Sequence, residues 1–234
     1  MTLGQEFGTY AIMMTEDAER LSEAAVLVSE INLEGTAIGT GLNTHPRYAQ
    51  LVCEKLSEIT GFYLSTACDL VEATQDVGAF VQMSGVVKRT ALKLSKICND
   101  LRLLSSGPRS GSNEINITAV QPDSSSMPWQ VNPVIPEVVN QVAYEVAGND
   151  VTISMAAEAG QLQLNAFEPI IAHSLFQLLS HLNEACRTLA TRCVLGITAN
   201  RQQMYESAMN SIGQGNCCHW ALPSASDPKG DTES

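Results

Sequence analysis

Residues 69–104 carry an apolar residue at nearly every third or fourth position, which indicates one apolar stripe along a single long helix. The stripe consists of Leu70, Ala73, Val77, Phe80, Val87, Ala91, Leu94, Cys98 and Leu101. At a rise of 1.5 Å per residue, such a helix is about 50 Å long. Helices of this length rarely belong to an isolated compact domain, so the stripe predicts an extended bundle of the kind often shared between subunits.

Other segments with the same spacing predict further helices. We expect them over residues 3–31, 46–59, 133–159, 167–195 and 199–210. Gly148 is expected to interrupt the third of these five, and Thr198 to cap the last. Hydrophobic residues make up 44% of the chain and aromatic residues only 5%, a composition that favours packed helices over a β-sandwich. The predicted fold class is therefore all-α, a bundle of long helices.

The helical pattern stops at two places. Residues 105–133 are dominated by Ser, Gly, Asn and Pro, and loops of that length are usually functional or disordered. Residues 214–234 have no apolar period and accumulate Pro, Ser, Asp and Gly, so we expect a disordered tail. Residues 1–213 are accordingly predicted to form one incomplete helical-bundle domain that contains the long loop.

The charge balance excludes some classes of partner. The chain has 13 Lys and Arg against 25 Asp and Glu, a net charge of −12, and it has no basic block. A nucleic-acid or anionic-membrane partner is therefore not expected. Residues 1–21 lack the pattern of a signal peptide, and no stretch is apolar enough to span a membrane.

Seven cysteines are present, an odd number with no CxxC motif, which predicts reduced core thiols in a cytoplasmic protein. The run Cys217-Cys218-His219 has no distant set of partner ligands, so no metal site is predicted. Residues 35–44, GTAIGTGLNT, resemble a phosphate loop only faintly, because no strand precedes them and no lysine follows the glycines.

Three serines, 124–126, stand just before a helix that begins with proline. The first turn of a helix offers free N–H groups and the positive end of the helix dipole, which suit a carboxylate. On these grounds alone, a serine-rich linker is the simpler interpretation. His173 and His181 are expected in the core or at an interface. Asp150 and Glu158 are expected to form hydrogen bonds between helices, as buried carboxylates must.

Extended motifs give the loop a more specific interpretation. SSSMPWQVNPVIPEVVNQV and GNDVTISMAAEAGQLQLN resemble the aspartate ammonia-lyases of the aspartase/fumarase superfamily. MTLGQEF, GTAIGTGLN, KICNDLRLLSSGPRSGSNEIN and GITAN are similar to the same family, and the resemblance extends over residues 1–213. It implies the superfamily's central helical domain, a tetramer, and elimination of ammonia from L-aspartate to give fumarate, without a metal or organic cofactor.

The resemblance also implies roles for residues of the loop and the helix that follows. Matched on the Met-Pro pair, Ser124 is the catalytic base that removes a proton from Cβ of aspartate, and Ser125 binds a substrate carboxylate. Asn132 also binds a substrate carboxylate. Glu137 pairs with an active-site histidine of another subunit. Gln130 takes the place of a substrate-binding lysine.

Two departures from the family pattern change the charge of this loop by −2. Asp123 replaces a glycine, and Gln130 replaces the lysine. Two unit charges about 4 Å apart interact by about 4 kcal/mol at an effective dielectric constant near 20. The more negative charge of the loop disfavours both a serine alkoxide and the binding of a dicarboxylate substrate. We therefore expect impaired activity or none from this chain alone.

Three hypotheses follow. The first is an aspartate ammonia-lyase that uses a serine base, expected to be cytoplasmic and a homotetramer. The second is a non-catalytic helical scaffold, or an assembly partner of a full-length relative, because the family's N-terminal and C-terminal domains lie outside the resemblance. The third is a fumarate hydratase or another fumarate-releasing lyase, because the chemistry of the loop is shared across the superfamily.

Overall fold

The computed structural model describes residues 2–33, 35–107, 111–118, 120 and 132–210. Four long helices and two shorter ones make up most of this part. They are α1 (Leu3–Leu27), α2 (Tyr48–Thr60), α3 (Gly78–Leu104), α4 (Val134–Glu158), α5 (Glu168–Arg192) and α6 (Arg201–Met209). The strands are β1 (Glu30–Ile31), β2 (Ser65–Thr66), β3 (Ile115–Asn116) and β4 (Thr198–Ala199), and a 3-10 turn covers Val194–Gly196.

The core lies where α3 packs against α1 and α4, and α4 against α5. Its most deeply buried apolar side chains come from all three of the later long helices. They are Val87, Ala91, Cys98 and Leu101 of α3, Val139, Ala143, Val146 and Ile153 of α4, and Ile171 and Leu178 of α5. These residues follow the spacing of three and four that predicted the helices, and the all-α prediction is confirmed.

Helix α1 begins as its sequence indicates but ends early. The Thr2 hydroxyl accepts a hydrogen bond from the N–H of Gln5, and the Gln5 side chain bonds back to the N–H of Thr2, which completes a capping box. The prediction of a helix to residue 31 is wrong at its end, because residues 30–31 pair in parallel with β2.

Helix α3 begins at Gly78, so the prediction that it starts at residue 69 is wrong. The Asp69 carboxylate accepts hydrogen bonds from the N–H groups of Val71 and Glu72, at 2.8 and 3.2 Å, and stabilises a turn there. Gly39 packs against this turn with φ +83°, where a Cβ would lie 2.3 Å from the carbonyl oxygen of Leu70. The glycine-rich segment therefore makes a close backbone contact with the turn.

Three more predictions, about the helices α4, α5 and α6, differ from the structure. Helix α4 is continuous through Gly148, because packing along the helix outweighs the roughly 1 kcal/mol penalty of one glycine. Helix α5 ends at Arg192 and gives way to the 3-10 turn. Helix α6 begins after Asn200, and Thr198 belongs to β4, which pairs antiparallel with β3. The expected loop 105–133 thus contains a short strand.

Other predictions meet the structure in part. Among the described cysteines, all of them free, Cys53, Cys98 and Cys193 are buried as expected, whereas Cys68 and Cys186 are exposed. The expected tail lies outside the described residues. None of the helices in the described ranges is both long enough and apolar enough to cross a membrane.

Candidate active site

The end of α3 and the start of α4 lie at the same end of the bundle. A hydrogen bond holds the segment around Glu114 against the end of α3. In it, the N–H of Glu114 donates to the carbonyl oxygen of Leu104 at 2.8 Å. The N–H of Asn200 donates to the carbonyl oxygen of Glu114, also at 2.8 Å, and brings the start of α6 to this end. The sequence-predicted site residues that the structure describes lie here.

The first turn of α4 differs from the anion site expected from the sequence. Pro133 and Pro136 have no N–H group. The N–H of Val134 donates to the carbonyl oxygen of Asn132 at 2.8 Å, and that of Glu137 donates to Pro133 at 3.1 Å. The amides of Val134 and Glu137 are therefore already engaged and are not free for a substrate carboxylate, while the helix dipole and the side chains of the first turn remain available.

Glu137 faces the last turn of α3. One of its carboxylate oxygens, Oε1, lies 3.6 Å from Nη2 of Arg102, and both side chains are about 40% exposed. The negative charge sits near the positive end of the α4 dipole, and Arg102 sits near the negative end of the α3 dipole. Each charge is thus favourable at its own helix end, and the two lie close enough for an ion pair.

One turn further along α4, Asn140 fastens the two helices together. Its amide nitrogen lies 2.7 Å from Oγ of Ser95, 3.1 Å from the Ser95 carbonyl oxygen and 3.1 Å from Oδ1 of Asn99. Asn140 is only 3% exposed. Sequence reasoning missed this residue, although an asparagine at a core position of an apolar helix was a usable signal.

The predicted bond of Asp150 between helices is confirmed further down the same contact, whereas Glu158, for which the same was predicted, is exposed. The Asp150 carboxylate accepts a hydrogen bond from the Ser84 hydroxyl at 2.7 Å and pairs with the Lys88 ammonium. With Asn140 and the Arg102–Glu137 pair, it forms a series of polar contacts that we call the α3–α4 ladder. The ladder connects the two antiparallel helices from the second turn of α3, at Ser84, to the candidate site.

A different set of charges joins α1 to α3. The Asp17 carboxylate is 1% exposed and lies 2.9 Å from Nζ of Lys93 and 3.2 Å from Nη2 of Arg89. Nearer the candidate site, the Tyr10 hydroxyl donates to Asp100 at 2.8 Å. Burial, with a smaller contribution from this hydrogen bond, raises the pKa of Tyr10 well above its usual range.

A cavity of about 480 Å³ opens where the start of α1, the end of α3 and α6 meet. Glu6, Asp100 and Glu114 are among its lining residues. Three carboxylates would repel a dicarboxylate, so we do not assign substrate binding to this cavity.

The remaining predictions are placed as follows. Ser124, Ser125 and Gln130 lie outside the described residues. His173 and His181 are exposed rather than in the core, and Nδ1 of His181 lies 2.8 Å from Oε2 of Glu145 on α4. Within the described residues, no group of three or more His, Cys, Asp or Glu side chains is arranged to hold a metal ion.

Comparisons with known proteins agree with the motifs. Residues 1–148 match the model of a protein family described as lyase. Aspartate ammonia-lyase of Helicobacter pylori (strain ATCC 700392 / 26695) is 59% identical over 213 residues, which cover 91% of this chain and 46% of that protein. Aspartate ammonia-lyase of Escherichia coli (strain K12) is 54% identical over 91% of this chain and 45% of its own length. The chain therefore spans about half the length of the curated relatives it matches.

Solved structures show the same fold. The cobalt-bound crystal structure of fumarate lyase:delta crystallin from Brucella melitensis superposes with a TM-score of 0.91 at 53% identity, over 96% of this chain and 49% of that chain. Recombinant class II fumarase from Schistosoma mansoni gives a TM-score of 0.86 at 32% identity, over 88% of this chain and 46% of that chain. The resemblance read from the motifs is confirmed.

Proposed function

The chain belongs to this lyase family, and we propose that it takes part in the conversion of L-aspartate to fumarate and ammonia, as one contributor to a site shared between subunits. The observation that carries the proposal is the match of 54–59% identity to aspartate ammonia-lyases across 91% of the chain. The described geometry supports it, because Asn132 and Glu137 stand at the start of α4, where that helix meets the end of α3.

In the proposed reaction, Ser124 acts as the base. Its deprotonated Oγ takes the proton from Cβ of aspartate, and the electron pair of that C–H bond moves into the adjacent carboxylate to give a dianionic aci-carboxylate. Collapse of this intermediate forms the Cα–Cβ double bond and breaks the bond from Cα to nitrogen, which leaves as ammonia. Ser125 and Asn132 would donate hydrogen bonds to substrate carboxylates, and the α4 dipole would favour the developing charge.

Gln130 and Asp123 weaken this chemistry. A neutral amide at position 130 cannot supply the positive charge that the family's lysine brings to the intermediate, and Asp123 adds a negative charge nearby.

We propose no resident metal or organic cofactor, because the elimination needs only a base, hydrogen-bond donors and positive charge. The reduced thiols fit a cytoplasmic location.

The partner is proposed to be another subunit of the same family. Helix α4 carries an exposed apolar stripe formed by Tyr144, Val151 and Met155, each about 60% exposed, and Gly148 on the same side leaves room for close approach. On α5, Phe176 is 70% exposed. Packing this stripe against other helices would remove it from water, in a homotetramer or in a mixed oligomer with a full-length relative.

Subunit complementation tests the function. The chain is refolded with the Escherichia coli enzyme in which the serine aligned with Ser124 is replaced by alanine, and fumarate is followed by its ultraviolet absorbance after L-aspartate is added. We expect slow turnover with the wild-type chain and a rate roughly 100-fold higher with Asp123→Gly/Gln130→Lys. Ser124→Ala is the matched control and should give no turnover. Mixed oligomers that form but make no fumarate with any of these chains contradict the proposal.

The chain alone is expected to be inactive, even with Asp123→Gly/Gln130→Lys, because it spans only about half the length of its relatives and a homotetramer of it would supply only part of their shared site. Turnover by that variant alone would show that the site is complete within one kind of chain.

The second candidate is a scaffold or assembly partner, favoured by the presence of Asp123 and Gln130 in the catalytic loop. It predicts mixed oligomers by light scattering, with no fumarate from any variant. Hydration of fumarate to malate is a third candidate, and the 32% identity to the class II fumarase supports it less than the 54–59% identity to aspartate ammonia-lyases supports deamination.

A further inference from the structure

Arg102 is a cationic residue that lies within one of the family-like motifs but was given no role there, yet it contacts a candidate site residue directly. It lies in the last turn of α3, and its Nη2 is 3.6 Å from Oε1 of Glu137. In the part of the chain that the structure describes, no other lysine or arginine forms an ion pair with Glu137.

Because the Arg102–Glu137 pair is exposed, its contribution to folding stability is separate from its influence on the orientation of Glu137. Both side chains are about 40% exposed, and ion pairs of that kind add little to folding stability. At 3.6 Å the guanidinium attracts the carboxylate through its charge rather than through a hydrogen bond, and this attraction favours the positions of the carboxylate that lie near the end of α3. The pair is thus better suited to orienting Glu137 than to holding the helices together.

The neighbouring contact of the α3–α4 ladder, made by Asn140, limits the movement of the α4 backbone relative to α3. Asn140 is buried and bonded to Ser95 and Asn99, so the backbone of α4 is already fixed to α3 one turn from Glu137. What remains free near the site is the Glu137 side chain itself, whose flexible stem allows several rotamers. Arg102 limits that remaining freedom.

We propose that Arg102 is a positioning residue, which holds the Glu137 carboxylate against the end of α3 so that it meets the histidine of another subunit in one orientation. This inference rests on the proposed function, in which Glu137 has that partner. Arg102 does not touch the substrate in this account and acts only through Glu137.

The test uses the complementation assay, with Asp123→Gly/Gln130→Lys in the chain to raise the signal. Arg102→Gln should lower kcat roughly 10-fold and leave KM unchanged, because orientation of a catalytic partner is lost while substrate contacts remain. Arg102→Lys should recover part of the loss, since it keeps the positive charge but not the longer guanidinium that carries this charge to within 3.6 Å of Glu137. Arg187→Gln removes a matched exposed pair with Glu184 on α5, where the N···O distance is 2.8 Å, and should leave both constants unchanged.

A second arm asks whether Arg102 acts through Glu137. In a chain that also carries Glu137→Gln, adding Arg102→Gln should produce no further loss of kcat. A further loss, or an Arg102→Gln chain that matches the Arg187→Gln control, overturns the inference while leaving the proposed function standing. Absence of fumarate from the unsubstituted reference chain instead removes the proposed function, and the inference with it.

Discussion

Helix α3 is joined to α1 and to α4 by a buried carboxylate in each contact, Asp17 and Asp150, but only the contact with α4 also carries a buried amide and a half-exposed ion pair. Toward α1 it presents Arg89 and Lys93 to the buried carboxylate of Asp17, a compact cluster of full charges. Toward α4 it presents the ladder, in which a buried amide lies next to a half-exposed ion pair at the candidate site. A buried charge that loses a partner is strongly destabilising, whereas an exposed pair can change with little effect on folding. The contact with α1 thus serves stability, and the end of the contact with α4 is free to serve the reaction.

The largest effect on stability is expected from Lys93→Met. This change keeps the aliphatic stem but leaves Asp17 buried with Arg89 as its remaining partner, so the free energy of unfolding should fall by about 3 kcal/mol. Urea denaturation of the wild-type chain and the variant measures it. A decrease below about 1 kcal/mol would mean that this cluster behaves like the exposed pairs and would remove the contrast.

Asn140→Leu should follow, with a loss of about 2 kcal/mol. The substitution removes the hydrogen bonds to Ser95 and Asn99 and leaves the buried Ser95 hydroxyl without this partner. The same denaturation experiment applies, and Gln141→Leu, at the adjacent exposed position, is the control. Equal stability of the Asn140→Leu and Gln141→Leu variants would show that this contact is dispensable.

The buried Cys98 thiol of α3 is expected to make the free energy of unfolding depend on pH by about 1 kcal/mol. Burial raises the pKa of the Cys98 thiol to about 12 from an ordinary value near 9. Above about pH 9 the unfolded chain therefore loses this proton more readily than the folded chain, so stability falls as pH rises toward 12. Under reducing conditions, Cys98→Ala should lose less stability than the wild-type chain between about pH 8 and pH 10. Parallel pH curves would contradict this.

Arg102→Gln should have the smallest effect on stability, below about 1 kcal/mol. Its effect on kcat in mixed oligomers should nevertheless be roughly 10-fold, whereas the Arg187→Gln control should leave kcat unchanged. A variant that unfolds as readily as Asn140→Leu would assign Arg102 to the structural part of the ladder.

Periodicity alone predicted the long helices, because each buries one stripe with the spacing of the α-helix. It failed at residues 69–77, since Leu70, Ala73 and Val77 continue the stripe of α3 while the Asp69 carboxylate stabilises a turn instead. Such competition between a side chain and the backbone has no periodic signature.

The candidate site was predictable only where a motif carried it. Asn132 and Glu137 came from the resemblance, whereas Arg102 and Asn140 depend on contacts between residues far apart in the sequence. Asn140 and Ser95 are 45 residues apart, and only the antiparallel packing of α3 and α4 brings them together. No spacing rule within one helix can identify such a partner.

The most direct test of the account compares initial rates of fumarate formation in mixed oligomers that contain either Ser124 or Ser124→Ala in an otherwise identical Asp123→Gly/Gln130→Lys chain. We expect turnover with serine and none above background with alanine, at equal incorporation of the two chains. Equal rates from the two chains would show that Ser124 is not the base that removes the proton from Cβ.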